Sequence, residues 1–286
     1  MDPLKRPITE RNNIRSEKIA QFDTFRIVET IHLEDIKAYE AVGCQLEKIS
    51  NVIDKIYENF KRGGRIIYIG AGTSGRIGAQ DAIEMWPTYG LGKDRFDYLI
   101  AGGEEALRRS VENAEDMEND AVNGLRDKNL NSLDTVVGIS ASGTTPFVIA
   151  GLRYAKMIGA YTVAIVNNPE SPMLDIADDS IVLNTGEEVI QGSTRLKAGT
   201  AQKMVLNIIS TSIAVKSGRT YGNQMIHMKA FYNRKLRQRA VNILMERYGL
   251  NEEKARELLE KNNYNILIAM NEIEASIKAG KNDVMK

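Results

Sequence analysis

The chain has 286 residues, enough for one full hydrophobic core and a smaller second unit. Its 38 Lys+Arg balance 38 Asp+Glu, so the net field gives no case for nucleic acid or an anionic membrane as partner. Hydrophobic content of 43% with 27% charged residues is ordinary for a soluble protein. No uninterrupted apolar run reaches the roughly 18 residues of a membrane span, and the opening MDPLKRPITERNN lacks the apolar core of a secretory signal. One cysteine, Cys44, excludes an intrachain disulfide or a cysteine-rich zinc site and is expected as an inert, partly buried thiol. A cytoplasmic protein is expected.

Residues 1–13 are polar and turn-rich and read as an arm. From Ile14 to about Asn59 apolar residues recur at helical spacing, as in Ile36, Tyr39, Val42, Leu46, Ile49 and Ile53. The period then changes. RIIYIG (65–70) is short and β-branched and leads into a helical stretch from about Gly75. FDYLIAGG (96–103) precedes the helical-looking EEALRRSVENAED, and DTVVGISASG (134–143) precedes PFVIAGLRYAKMIG. YTVAIVNN (161–168) and DSIVLN (179–184) complete the set. Strands alternating with helices predict right-handed crossovers and a doubly wound, mainly parallel α/β sheet of about five strands. After the apolar helix KAGTAQKMVLNIISTSIAVKSG the pattern is helical to the end. Asn251 is placed to cap NEEKARELLEKN, with Glu252/Arg256 and Glu257/Lys261 as i,i+4 pairs. The expected organisation is N-terminal arm and helices over 1–55, the α/β domain over 56–220 and a helical subdomain over 221–286.

Two small-residue turns follow strands, where open α/β sheets bind their ligands. Gly70-Ala71-Gly72-Thr73-Ser74-Gly75 formally matches the dinucleotide fingerprint, and Glu104 or Glu105 could stand for its ribose acid. Yet Thr73 and Ser74 set two hydroxyls beside free N–H groups at a helix N-terminus, which suits a single phosphate. The second turn, Ser140-Ala141-Ser142-Gly143-Thr144-Thr145, ends at Pro146, well placed to open a helix. Gly72, Thr73, Ser74, Ser140, Ser142, Thr144 and Thr145 are therefore the expected phosphate-binding residues. A phosphate does not by itself choose between a nucleotide and a phosphosugar, and capping alone is the plainer reading of each turn.

No P-loop lysine pattern and no His/Asp metal cluster appears, so neither a cofactor nor a metal is expected. His32 and His227, the only histidines, are far apart and read as structural. Carboxylates remain for the chemistry. Glu84 lies among apolar Ile83, Met85 and Trp86, just ahead of Pro87, where the helix is expected to end or turn. Glu115 lies in the acidic stretch ENAEDMEND, which otherwise reads as a solvated helix face.

ITERN, YIGAGTSGRIGAQDAIEMWPTYG, LIAGGEEALRRSVENAED, GISASGTTPFVIAGL and GSTRLKAGTAQKMVLNIIST resemble, in order and spacing, the N-acetylmuramic acid 6-phosphate etherases. The resemblance covers roughly Ile8 to Asn242. It implies a sugar isomerase (SIS) fold, homodimers, a phosphosugar as the small-molecule partner, and a lyase that removes D-lactate from the 3-ether and then adds water. It further implies catalytic roles for Glu84 and Glu115, because the family's two glutamates follow an Asp-Ala-Ser segment and lie in a Glu-Gly-Ala-Glu-Asp segment. Where the family usually has Ser-Glu-Cys-Pro-Pro, this chain has Ile83-Glu84-Met85-Trp86-Pro87; Thr144 stands for Arg and Asn113 for Gly. Arg195 or Lys197 is expected to supply the cation missing at Thr144. A phosphosugar-binding regulator and an aldose–ketose phosphosugar isomerase are the alternative readings.

Overall fold

The computed structural model describes residues 6–279. They fall into two compact units: one runs through Ile83 and resumes from Asp94 to Ser212, the other comprises Glu84–Lys93 and the chain from Ile213 onward.

In the first unit, short 3-10 turns at Ile8–Glu10, Ile14–Ser16 and Ile19–Gln21 precede α1 (Thr24–Gly43) and α2 (Leu46–Lys61). The first five residues of the expected arm lie outside the described residues; the part that is described is not free. Asn13 Nδ2 donates to Glu34 Oε2 at 2.8 Å and to the Glu187 carbonyl at 3.1 Å. Ser16 Oγ donates to the Val189 carbonyl at 2.7 Å, and the Gly192 N–H to the Thr9 carbonyl at 3.1 Å. The helical run breaks at Cys44–Gln45, and Cys44 is exposed rather than partly buried. Val42, Ile49 and Ile53 of the apolar repeat are buried, whereas Ile36, Tyr39 and Leu46 face solvent.

The sheet is built from β1 (Ile66–Gly70), β2 (Phe96–Ile100), β3 (Thr135–Ser140), β4 (Tyr161–Val166) and β5 (Asp179–Val182). It has the order β2-β1-β3-β4-β5 and is parallel throughout. The intervening helices are α3 (Gly72–Tyr89), α4 (Glu118–Asp127), α5 (Pro146–Ile158) and the short α6 (Met173–Ile176); α7 (Lys197–Lys216) follows. Burial on both faces explains the near-continuous apolar strands. Ile67, Ile69, Val136, Ala164 and Val166 pack with Leu125 of α4 and Phe147 and Leu152 of α5. On the other face Gly78 of α3 lies against Tyr68 and Ile139, and Tyr68 donates its hydroxyl to buried Asp81 at 3.0 Å. Asn207 and Ser210 of α7 also donate to Asp81, at 2.7 and 3.0 Å. Burial pushes the Asp81 carboxyl up, against these three hydrogen bonds.

Two expected features are corrected. α3 does not stop before Pro87 but runs through it to Tyr89. Proline there removes only one hydrogen bond of the last turn, and the Gly90 N–H still reaches the Trp86 carbonyl at 2.9 Å. The stretch 104–116 is not one helix but two 3-10 turns, Gly103–Leu107 and Ala114–Asp116. The left-handed backbone of Asn113, φ 59°, separates the second from what precedes it.

The second unit holds a two-stranded ribbon, β6 (Thr220–Tyr221) with β7 (Gln224–Met225), and the helices α8 (Arg234–Tyr248), α9 (Glu252–Lys261) and α10 (Ile266–Lys278). Asn233, Asn251 and Asn265 cap the three helices. Their shared core is built from Val241, Leu244, Leu259, Ile266 and Ile273, among others. Arg256 pairs with Glu252 at 2.5 Å, as the spacing predicts, whereas Lys261 pairs with Glu272. Among the described residues no helix is long and apolar enough to cross a membrane.

Candidate active site

The chain leaves β1 toward β2 on one side, then returns to lay β3 on the other side of β1. In open α/β sheets this reversal opens a crevice beyond the strand ends. Gly70 pairs in register with Ile139, so the turns after β1 and β3 are neighbours, about one strand spacing of 4.8 Å apart.

The first turn is tight because it lacks side chains. A Cβ on Gly70 would stand 2.7 Å from the Gly75 nitrogen, and one on Gly75 would stand 2.7 Å from the Gly70 oxygen. Those two glycines let α3 start directly against the strand end. The first closing bond runs from the Gly75 N–H to the Ala71 carbonyl, 3.1 Å, and the earlier N–H groups of a helix have no intrahelical acceptor. Gly72 and Thr73 are accessible, while Ser74 is buried. Ser74 Oγ donates to Gln202 Oε1 at 2.9 Å, and Gln202 Nε2 donates to Asn167 Oδ1 at 2.9 Å.

In the second turn the four hydroxyls gather. Ser140 Oγ and Thr145 Oγ1 lie 2.8 Å apart, and Ser142 Oγ and Thr144 Oγ1 2.9 Å apart. Ser140 Oγ also accepts from the Gly143 N–H, and Ser142 Oγ from the Thr144 N–H. Gly143 has φ +69°, and Ser171 donates to its carbonyl at 3.0 Å. Thr145 precedes α5 with extended backbone, and Pro146 opens the helix as expected.

Glu115 is exposed on the rim of a cavity of about 180 Å³ beyond β1 and β2, lined also by Ala71, Gly72, Arg76, Ser110 and Asn113. Arg76, which sequence reasoning missed, donates through Nε to the Ala106 carbonyl at 2.8 Å and through Nη2 to the Arg109 carbonyl at 3.2 Å. Its place one turn into the helix after Gly72 was a usable signal. Glu104 accepts from the Tyr98 hydroxyl at 3.0 Å and Glu105 pairs with Arg109 at 2.7 Å.

Glu84 is exposed on α3, and so are its neighbours Ile83 and Trp86; only Met85 of the apolar flank is buried. The expected apolar enclosure is therefore not built by these flanking residues. Ten residues of continuous helix separate Ser74 from Glu84, about 15 Å along the axis.

Lys197 does not join the hydroxyl turns. It is fully buried, its Nζ 2.5 Å from Glu34 Oε2 and 2.5 Å from the Glu187 carbonyl. Burial pushes the Glu34 carboxyl up, but hydrogen bonds from Lys197, Lys37 and Asn13 outweigh it and hold the group at about 2. Glu188 closes the N-terminus of α7 by accepting from the N–H groups of Lys197 and Ala198, at 3.2 and 2.9 Å. Arg195 stays exposed. His32 is exposed, and His227 Nδ1 lies 3.2 Å from Arg219. Among the described residues no group of three or more His, Cys, Asp or Glu could hold a metal ion.

Comparison with known proteins agrees with this architecture. The family described as "Glucokinase regulatory protein N-terminal SIS domain" matches residues 48–156, and "SIS domain" matches residues 113–212. Among solved structures, a protein of E. coli superposes with a TM-score of 0.52 at 19% identity, over 71% of this chain and 97% of that one. A phosphoheptose isomerase from Neisseria gonorrhoeae superposes at 0.53 and 16%, over 68% and 100%. At such identities the likeness establishes the fold. The curated relatives are far closer in sequence. The N-acetylmuramic acid 6-phosphate etherase of Clostridium beijerinckii is 46% identical over 98% of this chain and 94% of its own length. That of Geobacillus sp. is 46% identical over 88% and 85%. With identity of this order sustained along nearly the whole sequence, the chain belongs to the N-acetylmuramic acid 6-phosphate etherase family.

Proposed function

We propose that the protein is a carbon–oxygen lyase that converts N-acetylmuramic acid 6-phosphate to N-acetylglucosamine 6-phosphate and D-lactate, in the recycling of cell-wall amino sugars. The observation that carries this reading is the pair of neighbouring hydroxyl turns at the β1/β3 reversal, with Glu115 beside Gly72 at the adjoining cavity. Gly72, Thr73, Ser140, Ser142, Thr144 and Thr145 hold the phosphate through N–H groups and hydroxyls, and Ser74 contributes its backbone. Binding energy at the phosphate, remote from the bond that breaks, keeps the reacting carbons in register.

The open-chain sugar has an acidic proton at C2 because the neighbouring aldehyde spreads the developing charge. Glu115 takes that proton, the electron pair forms the C2–C3 double bond, and the C3–oxygen bond breaks. Glu84, entering as the acid, gives its proton to the departing oxygen and D-lactate leaves. The Glu84 carboxylate then takes a proton from water as its oxygen adds to C3, and exposed Glu115, its acidic hydrogen exchanged with solvent in the interval, delivers a proton to C2. Two carboxyl groups complete elimination and hydration.

The 15 Å rise along α3 keeps Glu84 from the turn at the start of its own helix. In this proposal Glu84 serves a neighbouring copy, so the cytoplasmic enzyme is a homodimer. The exposed apolar residues Phe25, Val28 and Tyr39 of α1 are consistent with a surface that copies bury.

Incubation with N-acetylmuramic acid 6-phosphate in deuterated water tests the chemistry. Release of D-lactate with solvent deuterium at C2 of the product is expected. No lactate, with intact phosphosugar binding, would instead favour a binding regulator, and aldose–ketose interconversion would favour an isomerase.

A further inference from the structure

We propose that Arg76 is the residue that selects the lactyl group: its guanidinium takes the lactyl carboxylate in the cavity it shares with Glu115. The inference rests on the etherase reading and names the contact that would distinguish this substrate from other phosphosugars.

Arg76 is a cation on the wall of the Glu115 cavity. Its fork donates to two backbone carbonyls, those of Ala106 and Arg109, and to no carboxylate among the described residues. Those bonds use Nε–H and one Nη2–H of the five N–H groups that a guanidinium carries. Three remain, including both on Nη1, enough for a paired contact with a carboxylate. The two carbonyl contacts also hold the fork at the cavity wall, so little rotamer freedom is left to lose on binding.

The substrate carries two anions, the phosphate on C6 and the carboxylate of the ether on C3. The hydroxyl turn of β3 and the cavity beyond β2 and β1 lie on opposite sides of the β1 turn. They are separated by up to two strand spacings, about 10 Å, on the scale of a sugar phosphate from its phosphoryl end to a C3 substituent. If the phosphate occupies the hydroxyl turns, the C3 side extends toward Arg76. Glu115, assigned to C2, lines the same cavity, and the lactyl group stands on the next carbon. A carboxylate brought beside Glu115 would meet like-charge repulsion, and an arginine at the wall offsets it. Ser110, Asn113 and a second carboxylate, Glu112, which accepts from Ser110 Oγ at 3.1 Å, complete the polar lining, so among the described residues Arg76 is the one cation on a wall that carries two acids.

The test compares ligands that differ by the lactyl group. Calorimetry on the Glu115→Gln background measures binding of N-acetylmuramic acid 6-phosphate and of N-acetylglucosamine 6-phosphate, with Arg76, Arg76→Lys or Arg76→Gln. Arg76→Gln is expected to weaken the lactyl sugar roughly ten- to hundredfold and to change the other ligand by less than about threefold. Arg76→Lys should fall between. Equal weakening of both ligands, or no change in either, overturns the assignment. If Arg76→Gln loses its cooperative melt, Arg76→Lys alone decides by the same comparison. Lactate release by the unmodified enzyme is measured separately. Its absence defeats the etherase reading, whereas normal release with unchanged discrimination defeats only the role of Arg76.

Discussion

Ser74 gives its hydroxyl proton to Gln202, 2.9 Å away, and a backbone carbonyl further along the chain of bonds fixes that direction. The Leu183 carbonyl can only accept, so the atom of Asn167 that faces it at 3.1 Å must be the amide nitrogen. Asn167 then turns its oxygen to Gln202 Nε2, and Gln202 turns its own oxygen to Ser74. Ser74 Oγ, its hydrogen committed, can accept but not donate to a ligand. Gln202→Leu should therefore lower unfolding stability by about 1–3 kcal/mol, leaving buried donors and acceptors unpaired, and should raise KM more than it lowers kcat. Urea unfolding and initial rates check both. Adding Ser74→Ala to Gln202→Leu should cost less than the sum, because the two share one bond.

Gly143→Ala should abolish phosphosugar affinity while leaving much of the fold. At φ +69° an L side chain is strained by about 1–3 kcal/mol, and its Cβ would stand 1.8 Å from Ser171 Oγ. Relief requires the turn that groups Ser140, Ser142, Thr144 and Thr145 to shift. Calorimetric titration with N-acetylglucosamine 6-phosphate, beside a melting curve, separates a distorted turn from a lost domain.

The Glu34–Lys197 pair predicts an acid-dependent contribution to stability. Glu34 is held at about 2 in the folded chain against an ordinary 4.5. A lowered carboxyl pKa stabilises the fold fully above about pH 4.5, and the contribution disappears as pH falls toward 2. Glu34→Gln, which leaves a buried ammonium without its counter-charge, should cost about 3–5 kcal/mol near neutrality. The gap between wild type and variant should narrow through that acid window. Denaturant midpoints across it provide the measurement; a gap that stays constant contradicts the pairing.

Asn113 supplies a milder case. Its φ of 59° lies where glycine is unstrained and asparagine is the next best tolerated residue. This gives a conformational reason why glycine, which the resemblance implies as the family's residue here, fits the position. Asn113→Gly should leave the melting temperature within a few degrees, whereas Asn113→Val should destabilise by about 1–2 kcal/mol and displace Glu115. A valine variant with unaltered stability would show that the turn adopts another backbone.

The sheet was legible because short β-branched runs interrupted by helical periods leave few alternatives. Both hydroxyl turns were readable too, since small and hydroxylated residues at strand ends form a local pattern. The features that escaped local reading depend on distant partners. Lys197 reads as an available cation until Glu34, 163 positions away, is found against it. Pro87 reads as a helix stop, but near the end of α3 it removes only one bond. The position of Arg76 one turn after Gly72 is local, but the carbonyls of Ala106 and Arg109 that hold its fork come from a segment about thirty positions on, folded as two short turns rather than one helix.

The contacts of residues 9–16 with residues 187–192 have a consequence for synthesis. Asn13 and Glu187 are 174 positions apart, and Ser16 and Val189 are 173 apart. At about 5–20 residues per second, a ribosome needs roughly 10–35 s between the two segments. Throughout that interval the earlier segment is without its partners among residues 187–192 and open to proteases and chaperones. Its docking is thus a late event in the birth of the molecule, and protection of these residues from proteolysis would report that the first unit has closed.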